Sequence, residues 1–319
     1  MSTLITGGAG FIGSQLAARL LRQNDEVVIV DNFDDYYDPA VKRANIAALP
    51  GHPVVIDADV RDQEALERTF ETYRFTRVAH LAGLAGVRSS AERGRLYSDV
   101  NTGGSISLMD AARKHKISVF VLGSTSSVYG QTPRIPFSED DVCNTPLAPY
   151  PASKRAAELF GYTYYQLFGL NVTVLRFFNV YGPHGRPDMM PMRVIGSILN
   201  DTPIEIFEEG NLKRDWTYVD DIVDGLVRAL DRPLGYQVLN LGFGSPITLN
   251  EFIRIYEGLI GKAAITVPVP TPLTEPKITY CDNQRAGALL GFSPKVDIDE
   301  GLRRTWEWYR EAHLVSKSR

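Results

Sequence analysis

The chain has 319 residues, 44% of them hydrophobic and 23% charged, with a formal net charge of −4 at pH 7. This composition is typical of a globular protein with one large domain or two modest ones. The negative net charge gives no electrostatic basis for binding nucleic acid or an anionic membrane. No apolar run approaches the roughly 18 residues of a membrane span, and we expect a cytoplasmic enzyme without a leader segment. The two cysteines, Cys143 and Cys281, form no metal-binding or disulfide pattern, and we predict no metal.

The first predicted elements are a strand, a glycine-rich turn and a helix. Residues 2–6 are predicted as a buried strand, and apolar spacing predicts a helix over residues 14–22. Between them, Gly7 allows a tight turn, Gly10 lets backbone N–H groups approach a pyrophosphate, and Gly13 lets the helix pack on the strand. The anion would lie at the positive end of the helix. The order of these elements therefore predicts a dinucleotide-binding turn.

Further strands and helices alternate along the first half of the chain. Strands are predicted over residues 26–31, 54–60, 77–83 and 119–123, and a helix over residues 100–112. Such alternation from the start of the chain predicts a parallel sheet covered on both faces by helices. In sheets of this kind, ligands bind at the carboxyl ends of the strands.

The ends of the second, third and fourth strands carry candidate functional residues. Asp31 ends the second strand, where a carboxylate accepts hydrogen bonds from an adenosine ribose and repels a 2′-phosphate, so it favours NAD over NADP. A turn aspartate without a ligand is the alternative. Asp59 and Val60 are predicted to meet the adenine edge. His80 is predicted to face the core or a neighbouring backbone group, and we assign it no catalytic role.

A polar cluster and a helical Tyr–Lys pair follow the fifth strand. Residues 124–127 come directly after that strand, which predicts a position at the ligand crevice. A helix predicted over residues 150–166 places Tyr150 and Lys154 on one face, one turn apart. An ammonium group beside a positive nicotinamide would favour the phenolate and lower the tyrosine pKa from about 10 toward working pH. Tyr150 is therefore the candidate general base and acid.

Together these motifs resemble the extended short-chain dehydrogenase/reductase family, in its nucleotide-sugar epimerase and dehydratase branch. The resemblance covers nearly the whole chain and includes Asn101 and residues 176–183. It implies an α/β fold with a Rossmann-like, doubly wound parallel sheet that binds NAD, residues 1–175. A smaller α/β C-terminal lobe, residues 176–319, is implied to bind a nucleoside diphosphate sugar and to return some chain to the first domain.

The same resemblance implies a quaternary arrangement and a set of cofactor contacts. The implied homodimer pairs two helices of each subunit, at about residues 103–114 and 152–168. Contacts with NAD are implied for Gly7, Gly10, Phe11, Ile12, Gly13, Asp31, Asn32, Asp59, Val60, Leu81, Ala82, Asn101, Tyr150 and Lys154.

Residues near the tyrosine indicate which branch of the family the chain resembles. Thr125 stands where the family places the Ser or Thr partner of the catalytic tyrosine. Sugar 4,6-dehydratases and uronate decarboxylases carry an acid two residues later, where this chain has Ser127. Loss of a sugar hydroxyl needs a proton donor. The chain is therefore predicted to be an epimerase, for which Thr125, Tyr150 and Lys154 suffice with the cofactor.

Three segments resemble UDP-glucuronate 4-epimerases in particular, namely residues 31–39, 85–88 and 185–189. The donor fork of Arg186, helped by the hydroxyls of Ser126 and Ser127, is predicted to hold a sugar carboxylate. A surface arginine is the alternative. Arg88 ends the second segment and is implied to contact the substrate. Asn179 departs from the pattern, because these epimerases tend to have Thr there and neutral-sugar epimerases and decarboxylases more usually have Asn.

The C-terminal part is implied to complete the nucleotide site. Phe207 matches a residue near which the family stacks uracil, with core packing as the alternative. Arg214 matches the diphosphate-binding arginine, and Glu275 matches an acid that contacts the uridine ribose. An arginine that often precedes this acid is absent, so diphosphate binding is expected to depend on Arg214 or on another basic residue that the sequence does not identify. Asp220 and Asp221 are predicted to cap the following helix.

The predicted reaction converts UDP-glucuronate to UDP-galacturonate through a 4-keto intermediate, with NAD regenerated in each turnover. Tyr150 takes the C4 proton, aligned or relayed by Thr125, and returns it after the keto sugar has presented its other face. A UDP-glucose or UDP-N-acetylglucosamine 4-epimerase is the alternative, and Asn179 favours it. Ser127 disfavours a decarboxylase, and the intact catalytic residues disfavour a non-catalytic NAD-binding regulator.

Overall fold

A seven-stranded, all-parallel sheet forms the centre of the protein, seen in a computed structural model that describes residues 1–315. In chain order, the strands of the protein are β1 (Ser2–Thr6), β2 (Glu26–Asp31), β3 (Val54–Asp57), β4 (Arg77–His80), β5 (Val119–Thr125), β6 (Val172–Phe177), β7 (Val180–Tyr181), β8 (Ile204–Ile206), β9 (Lys213–Arg214), β10 (Thr217–Tyr218), β11 (Tyr236–Leu241), β12 (Ile247–Thr248) and β13 (Thr266–Pro268). The order across the large sheet is β11-β6-β5-β4-β1-β2-β3. This order confirms the predicted doubly wound sheet, in which the strand order reverses between β1 and β4.

Helices cover the sheet and build the smaller part of the protein. They are α1 (Phe11–Arg22), α2 (Pro39–Ala47), α3 (Gln63–Thr72), α4 (Gly94–Tyr97), α5 (Gly104–Lys114), α6 (Pro149–Phe168), α7 (Met190–Asn200), α8 (Val219–Leu230), α9 (Leu249–Ile260), α10 (Gln284–Leu290) and α11 (Ile298–Arg310). A π-helical turn, Ser98–Gly103, joins α4 to α5, and a 3-10 turn, Ser126–Tyr129, follows β5. None of the helices in the described part of the chain has the length and hydropathy needed to cross a bilayer.

Alternation along the central strands separates two apolar layers. Leu4 and Val28 face the layer that includes side chains of α3, α5 and α6, whereas Ile5 and Ile29 face the layer of α1, α8 and α10. Successive side chains of a strand point to opposite faces, so each inner strand supplies both layers. The run of four apolar residues inside β2, residues 27–30, follows from burial on both sides.

A third apolar cluster forms the core of the smaller C-terminal lobe. Ile195, Trp216, Phe252 and Trp306 belong to it, and they come from α7, the β9–β10 connection, α9 and α11. The chain also returns to the large sheet, because α8 packs against α1 and β11 pairs with β6. Residue 175 lies inside β6, so the division of the chain near this residue stays a prediction.

Two predicted strands end earlier than expected, and this shortening places residues at the ligand site. The third and fourth strands end at Asp57 and His80. Residues 58–60 and 81–83 then line the cleft that is described below. Once the chain leaves the ladder, its side chains and backbone are free to face a ligand instead of a neighbouring strand.

Two helix predictions need correction. The helix predicted over residues 100–112 consists of the π-helical turn and α5. The predicted Asp cap of α8 is wrong, because Tyr218 is its N-cap residue and provides no side-chain hydrogen bond. The carboxylate of Asp221 instead accepts hydrogen bonds from the backbone N–H groups of Lys295 and Val296, at 2.9 and 3.1 Å. Asp221, which was predicted to cap the helix, therefore binds a distant backbone segment instead.

Candidate active site

The glycine-rich turn between β1 and α1 forms a backbone cradle. Gly7 has a φ of +71°, and a Cβ there would lie 2.6 Å from the backbone nitrogen of Ala82. A Cβ on Gly13 would lie 2.2 Å from the carbonyl oxygen of Gly7. Gly10 is the N-cap residue of α1, and no side chain caps this helix. The space and the N–H groups at this helix end fit the predicted pyrophosphate site.

A cleft extends from this turn across the carboxyl ends of the central strands. The predicted cofactor-binding residues that line it are Gly7, Gly10, Phe11, Ile12, Gly13, Asp31, Asn32, Asp59, Val60, Leu81, Ala82, Tyr150 and Lys154. Arg186 lines the same cleft, although it lies far along the sequence in the C-terminal part. One cleft therefore joins the dinucleotide turn to the predicted catalytic pair.

Asp31 connects β2 to the glycine-rich turn. Its Oδ2 accepts a hydrogen bond from the backbone N–H of Ala9 at 3.0 Å, and its Oδ1 accepts one from Phe33 at 2.9 Å. Burial raises the pKa of Asp31, although the two backbone N–H groups and the positive charge of Lys42 act in the opposite direction. The carboxylate lies where a ribose of a dinucleotide is predicted to bind, and it also holds the turn in place.

Asn32 and Asp59 meet at the outer end of the cleft. The Asn32 Nδ2 donates a hydrogen bond to Asp59 Oδ2 at 3.0 Å, and Arg61 binds the same carboxylate through Nε and a terminal nitrogen, both at 2.8 Å. The hydrogen bond from Arg61 lowers the pKa of Asp59. Contact of this group with an adenine edge stays a prediction.

Tyr150 lies in the first turn of α6, and Thr125 lies at the end of β5. Burial raises the pKa of Tyr150, whereas the nearby Thr125 side chain and the positive charge of Arg186 act to lower it. In the protein chain alone, loss of water outweighs the positive charge of Arg186. The predicted lowering of the Tyr150 pKa includes the charge of a bound nicotinamide and stays a prediction.

Lys154 is buried one turn after Tyr150. Loss of water lowers the pKa of Lys154 to about 8, and the negative charge of Glu158 acts in the opposite direction. The pKa of Lys154 is therefore close to neutral pH, so that the group loses its proton in a mildly alkaline solution.

A buried ion pair lies beneath this lysine. Glu158 and Arg176 are almost fully buried, and Arg176 donates to the two carboxylate oxygens at 3.0 and 2.7 Å. Arg155 and the hydroxyl of Ser124 bind the same carboxylate, at 2.9 and 2.5 Å. Burial opposes the charge on Glu158, but Arg176 outweighs it and the pKa of Glu158 is lowered. The network joins α6 to β5 and β6.

Asn101 does not line the cleft, although the sequence assigns it a cofactor contact. Its Oδ1 accepts a hydrogen bond from the backbone N–H of Leu84 at 2.8 Å, and its Nδ2 donates to Leu84 O and Ser153 Oγ, both at 3.0 Å. The side chain therefore ties the loop after β4 to α6. A direct contact with the cofactor stays a prediction.

His80 faces the core, as predicted. Its Nδ1 lies 2.7 Å from Thr6 Oγ1 and its Nε2 lies 2.9 Å from Ser105 Oγ, so its partners are side-chain hydroxyls. Burial lowers the pKa of His80 to about 3, which keeps the ring neutral.

The predicted Ser/Thr cluster begins inside β5 and not after it, because the strand extends to Thr125, and the cluster is internally bonded. Thr125 Oγ1 accepts a hydrogen bond from the Ser127 backbone N–H at 3.1 Å and lies 3.2 Å from Ser127 Oγ. Ser126 is buried in the 3-10 turn. Gly123 and Ser124 line the cleft, whereas sugar contacts from Ser126 and Ser127 stay predictions.

Arg186 reaches the catalytic end of the cleft, and its side chain is only 24% exposed, which contradicts the alternative of a surface arginine. The group is not free, because its Nε and one terminal nitrogen bind Asp188 at 2.9 and 3.0 Å. Burial is the largest influence and disfavours its charge, but the hydrogen bond to Asp188, the negative charge of Asp188 and smaller contributions from Tyr36 and Tyr150 together raise the pKa of Arg186.

The three residues predicted to bind the nucleotide, Phe207, Arg214 and Glu275, lie together with Arg88, which was predicted to contact the substrate. Arg88 and Arg214 bind different oxygens of the Glu275 carboxylate, at 2.7 and 2.8 Å. The guanidinium of Arg88 also lies over the Phe207 ring, 4.8 Å from its centroid. Loops from both parts of the chain thus bring two cations and one aromatic ring to a single place, although these residues are widely separated in sequence.

Asn179 is hydrogen-bonded to two threonines of the C-terminal part. Its Oδ1 accepts a long hydrogen bond from Thr279 Oγ1 at 3.4 Å, and its carbonyl oxygen accepts one from the Thr217 N–H at 3.2 Å. The side chain therefore bonds to a C-terminal segment, and a sugar contact stays a prediction.

Sequence reasoning assigned no role to three residues that the structure places at the site. Tyr36 and Asp188 lie within segments that carry the family resemblance, but no pattern connected them. Glu158 stands four residues after Lys154 on α6. Helical residues at that spacing are neighbours, so the spacing could have predicted that Glu158 lies next to the lysine. Within residues 1–315, no group of three or more His, Cys, Asp or Glu residues is arranged to hold a metal ion.

The fold and this site are those of an NAD-dependent sugar-nucleotide enzyme, and comparison with known sequences agrees. The sequence model of the NAD dependent epimerase/dehydratase family matches residues 3–242, and this chain belongs to that family. UDP-glucuronate 4-epimerase of Thermodesulfobacterium geofontis is 43% identical to it over 319 residues, covering 99% of this chain and 98% of the relative. UDP-glucuronate 4-epimerase 3 of Arabidopsis thaliana is 38% identical, covering 97% of this chain and 76% of the relative.

Solved structures are similar over almost the whole chain. UDP-glucuronic acid 4-epimerase from Bacillus cereus, in complex with UDP-glucuronic acid and NAD, superposes with a TM-score of 0.92 at 33% identity, covering 98% of this chain and 100% of that chain. UDP-glucose 4-epimerase from Thermotoga maritima, with UDP-glucose, superposes with a TM-score of 0.91 at 30% identity, covering 98% of this chain and 99% of that chain.

Proposed function

We propose that this protein is an NAD-dependent isomerase that inverts C4 of UDP-glucuronate to give UDP-galacturonate through a 4-keto intermediate. The observation that carries the proposal is the position of Arg186 and Tyr150 in one cleft, where the positive charge of Arg186 and the Thr125 side chain both act on the Tyr150 hydroxyl. A fixed phenol supplies proton transfer, and a guanidinium near it suits a sugar that carries a carboxylate. Both relatives described above, and the Bacillus cereus structure, carry the same activity in their names.

The residues of the cleft fit NAD. Gly7 and Gly13 leave no room for a side chain where the pyrophosphate would approach, and α1 presents an uncapped N-terminus. The Asp31 carboxylate at the end of β2 favours a ribose with a free 2′-hydroxyl. When bound, NAD supplies the hydride acceptor for oxidation at C4 and the donor for reduction.

The chain's own groups carry the proton chemistry of the proposed reaction. Tyr150 accepts the proton of the C4 hydroxyl and later returns it to the oxygen of the new C4 centre. Thr125, whose side chain acts on the Tyr150 hydroxyl, is proposed to orient it. The positive charge of Lys154 stabilises the phenolate form, and the buried ion pair beneath it holds that part of α6 in place.

Binding of the nucleotide and of the sugar is divided between two groups of residues. Arg88, Arg214, Glu275 and Phe207 are proposed to hold the uridine diphosphate. Firm binding there leaves the sugar able to turn and present its opposite face. Arg186, with Ser126 and Ser127, is proposed to hold the carboxylate away from the alignment that favours loss of CO₂ from a β-keto acid.

A UDP-glucose 4-epimerase is the second candidate function. Asn179 favours it, because neutral-sugar epimerases of this family more usually carry Asn at this position. The similarity to the Thermotoga maritima enzyme is also high. Arg186 argues against this candidate, since a neutral sugar offers no carboxylate to its donors.

Proton NMR with UDP-glucuronate and UDP-glucose in parallel tests the proposal. New anomeric signals of UDP-galacturonate, with UDP-glucose unchanged, are expected. The Arg186→Ala variant is expected to lose far more activity on the uronate than on any neutral sugar that is converted. Conversion of UDP-glucose alone would favour the second candidate, and formation of a UDP-pentose would indicate a decarboxylase.

We propose that the protein is a homodimer that buries the outer face of α6. This helix exposes four large apolar side chains, Leu159, Phe160, Leu167 and Phe168, and Leu167 is 73% exposed. A second copy of the same chain is the proposed occupant, because paired helices at this place are expected from the family. Light scattering is expected to give twice the chain mass, and Leu167→Glu is expected to shift the protein to the monomer. A monomeric wild-type protein would contradict the proposal.

A further inference from the structure

Three segments that are separate in sequence meet at the hydroxyl of Tyr36. This tyrosine follows β2, and its hydroxyl lies 3.4 Å from Asp188 Oδ2 and 3.5 Å from Ser89 Oγ. Its ring lies 5.7 Å from the guanidinium carbon of Arg186. The segments that resemble uronate epimerases, residues 31–39, 85–88 and 185–189, therefore form one physical unit rather than three independent motifs.

Gly86 provides the space for this unit. It has a φ of +103°, and a Cβ at this position would lie 2.6 Å from the Tyr36 hydroxyl and 2.3 Å from Ser89 Oγ. Both distances are shorter than real Cβ contacts allow. The backbone of the loop after β4 therefore has to be glycine here for Tyr36 to reach Asp188.

One edge of the Arg186 guanidinium is fixed by Asp188, and its other donors are available for a ligand. Asp188 binds its Nε and one terminal nitrogen, which uses two of the five N–H donors of a guanidinium. The Tyr36 ring adds a cation–π contact with the same group. The remaining donors can bind a second carboxylate without breaking the pair with Asp188.

We infer that Tyr36 and Asp188 are positioning residues that hold Arg186 ready for the carboxylate of a uronate and so set the preference for uronate over neutral sugars. The inference rests on the proposed function. Arginine is long and loses much rotamer freedom when a ligand orders it. A guanidinium that is already fixed avoids that loss, and the benefit applies only to a substrate whose carboxylate it binds.

The position of this unit supports a role in selecting the substrate. Tyr36 and Arg186 line the cleft together with Tyr150. Tyr97 contacts both Ser89, next to Tyr36, and the Tyr150 ring. The Tyr97 hydroxyl lies 2.9 Å from Ser89 Oγ, and its ring meets the Tyr150 ring edge to face, with centroids 6.2 Å apart. A displaced Arg186 would therefore change contacts at the end of the cleft where the sugar reacts.

Asp188→Asn and Tyr36→Phe test the inference, with Asp224→Asn as the matched control. The control removes the same charge from another Asp–Arg pair, Asp224 with Arg228 on α8. The measurements are kcat and KM for UDP-glucuronate, and the Kd values for UDP-glucose and for UDP by calorimetry. UDP binding verifies that each variant is folded and retains its nucleotide site.

Asp188→Asn is expected to lower kcat/KM for UDP-glucuronate by about tenfold, mainly through KM, because a charge-assisted hydrogen bond is weakened. Tyr36→Phe is expected to lower it by about two- to threefold, since the lost contact is long. The Kd values for UDP-glucose and for UDP, and all values of the control variant, are expected to stay within about twofold of wild type.

Equal losses on both sugars, or tighter binding of UDP-glucuronate by Asp188→Asn, would overturn the inference. The second result would mean that Asp188 competes with the substrate carboxylate. A wild-type protein that epimerises UDP-glucuronate while its variants keep the same discrimination would remove this inference and leave the proposed function standing. A wild-type protein that converts no UDP-sugar would remove the proposed function and the inference together.

Discussion

The carboxylate of Glu158 lies one helical turn after Lys154 and is bound on both oxygens by Arg176 in the interior of the protein. The relationship joins a structural ion pair to the catalytic helix. Its negative charge raises the pKa of Lys154, opposing the effect of burial. The ion pair therefore influences both the stability of the fold and the charge of the lysine.

Glu158→Gln is expected to destabilise the protein by about 3–5 kcal/mol, because it leaves the buried charge of Arg176 without its partner. The loss is measured as a decrease in the free energy of unfolding in urea. Glu64→Gln is the control, since Glu64 and Arg68 form an exposed pair at 3.6 Å. A loss no greater than that of the control would contradict the importance of the buried pair.

The lowered pKa of Lys154 predicts how the free energy of unfolding changes with pH in alkaline solution. The folded-state pKa of Lys154 is lowered to about 8 from 10.5. Between these values the unfolded chain binds more protons than the folded one, so the contribution of Lys154 to stability rises with pH. The cost of burying its charge is fully present below about pH 8 and disappears as the pH approaches about 10.5.

Comparison of the wild type with Lys154→Met tests this sign. Urea unfolding at about pH 7.5 and about pH 10 is expected to show that the advantage of the variant shrinks as the pH rises. Turnover by the wild type is expected to fall above about pH 8, when the lysine charge is lost beside Tyr150. Lys262→Met, which breaks the pair of Lys262 with Asp201, is the control. A pH-independent difference in stability would contradict the assigned pKa.

Tyr150→Phe is expected to lower kcat by about a hundred- to ten-thousandfold, since the only group lost is the proton-transferring hydroxyl. Binding of NAD and of UDP, measured by calorimetry, is expected to be retained. Tyr73→Phe serves as the control, because Tyr73 stacks on Phe75 and does not line the cleft. Full activity of Tyr150→Phe would rule out Tyr150 as the base.

Arg88→Ala and Arg214→Ala are each expected to weaken UDP binding by about tenfold, because each removes a charged donor from the proposed diphosphate site. The Kd for UDP checks this expectation. Arg303→Ala is the control, since Arg303 pairs with Glu300 and Glu307 on the exposed side of α11. Unchanged affinity in Arg88→Ala would leave Arg214 as the main cation and remove Arg88 from the nucleotide site.

Much of the nucleotide-binding half could be predicted, because its signals are local. Gly7, Gly10 and Gly13 follow one strand and open one helix, and the spacing of Tyr150 and Lys154 is a property of a single helix. The pKa of Tyr150 could not be predicted in the same way. Its direction depends on how much water the whole fold removes, which residue spacing does not record.

The contacts among the residues assigned to the substrate could not be predicted from local signals. Arg88, Arg214 and Glu275 were assigned to the substrate by resemblance alone, and their mutual contact follows from packing between loops that are far apart in sequence. The predicted cap by Asp221 failed for the same reason, because a distant backbone segment took its carboxylate.

The sequence by itself determined the doubly wound sheet, the glycine-rich turn and the placement of the predicted catalytic pair on one helix, because periodicity and short spacing dictate elements that form within a few neighbouring residues. Only the tertiary structure decided what the long-range groups do: which carboxylate holds Arg186, how Tyr36 reaches it past Gly86, and what lies beneath Lys154. Contacts across large sequence separations arise from the packing of whole elements, and no local pattern encodes them.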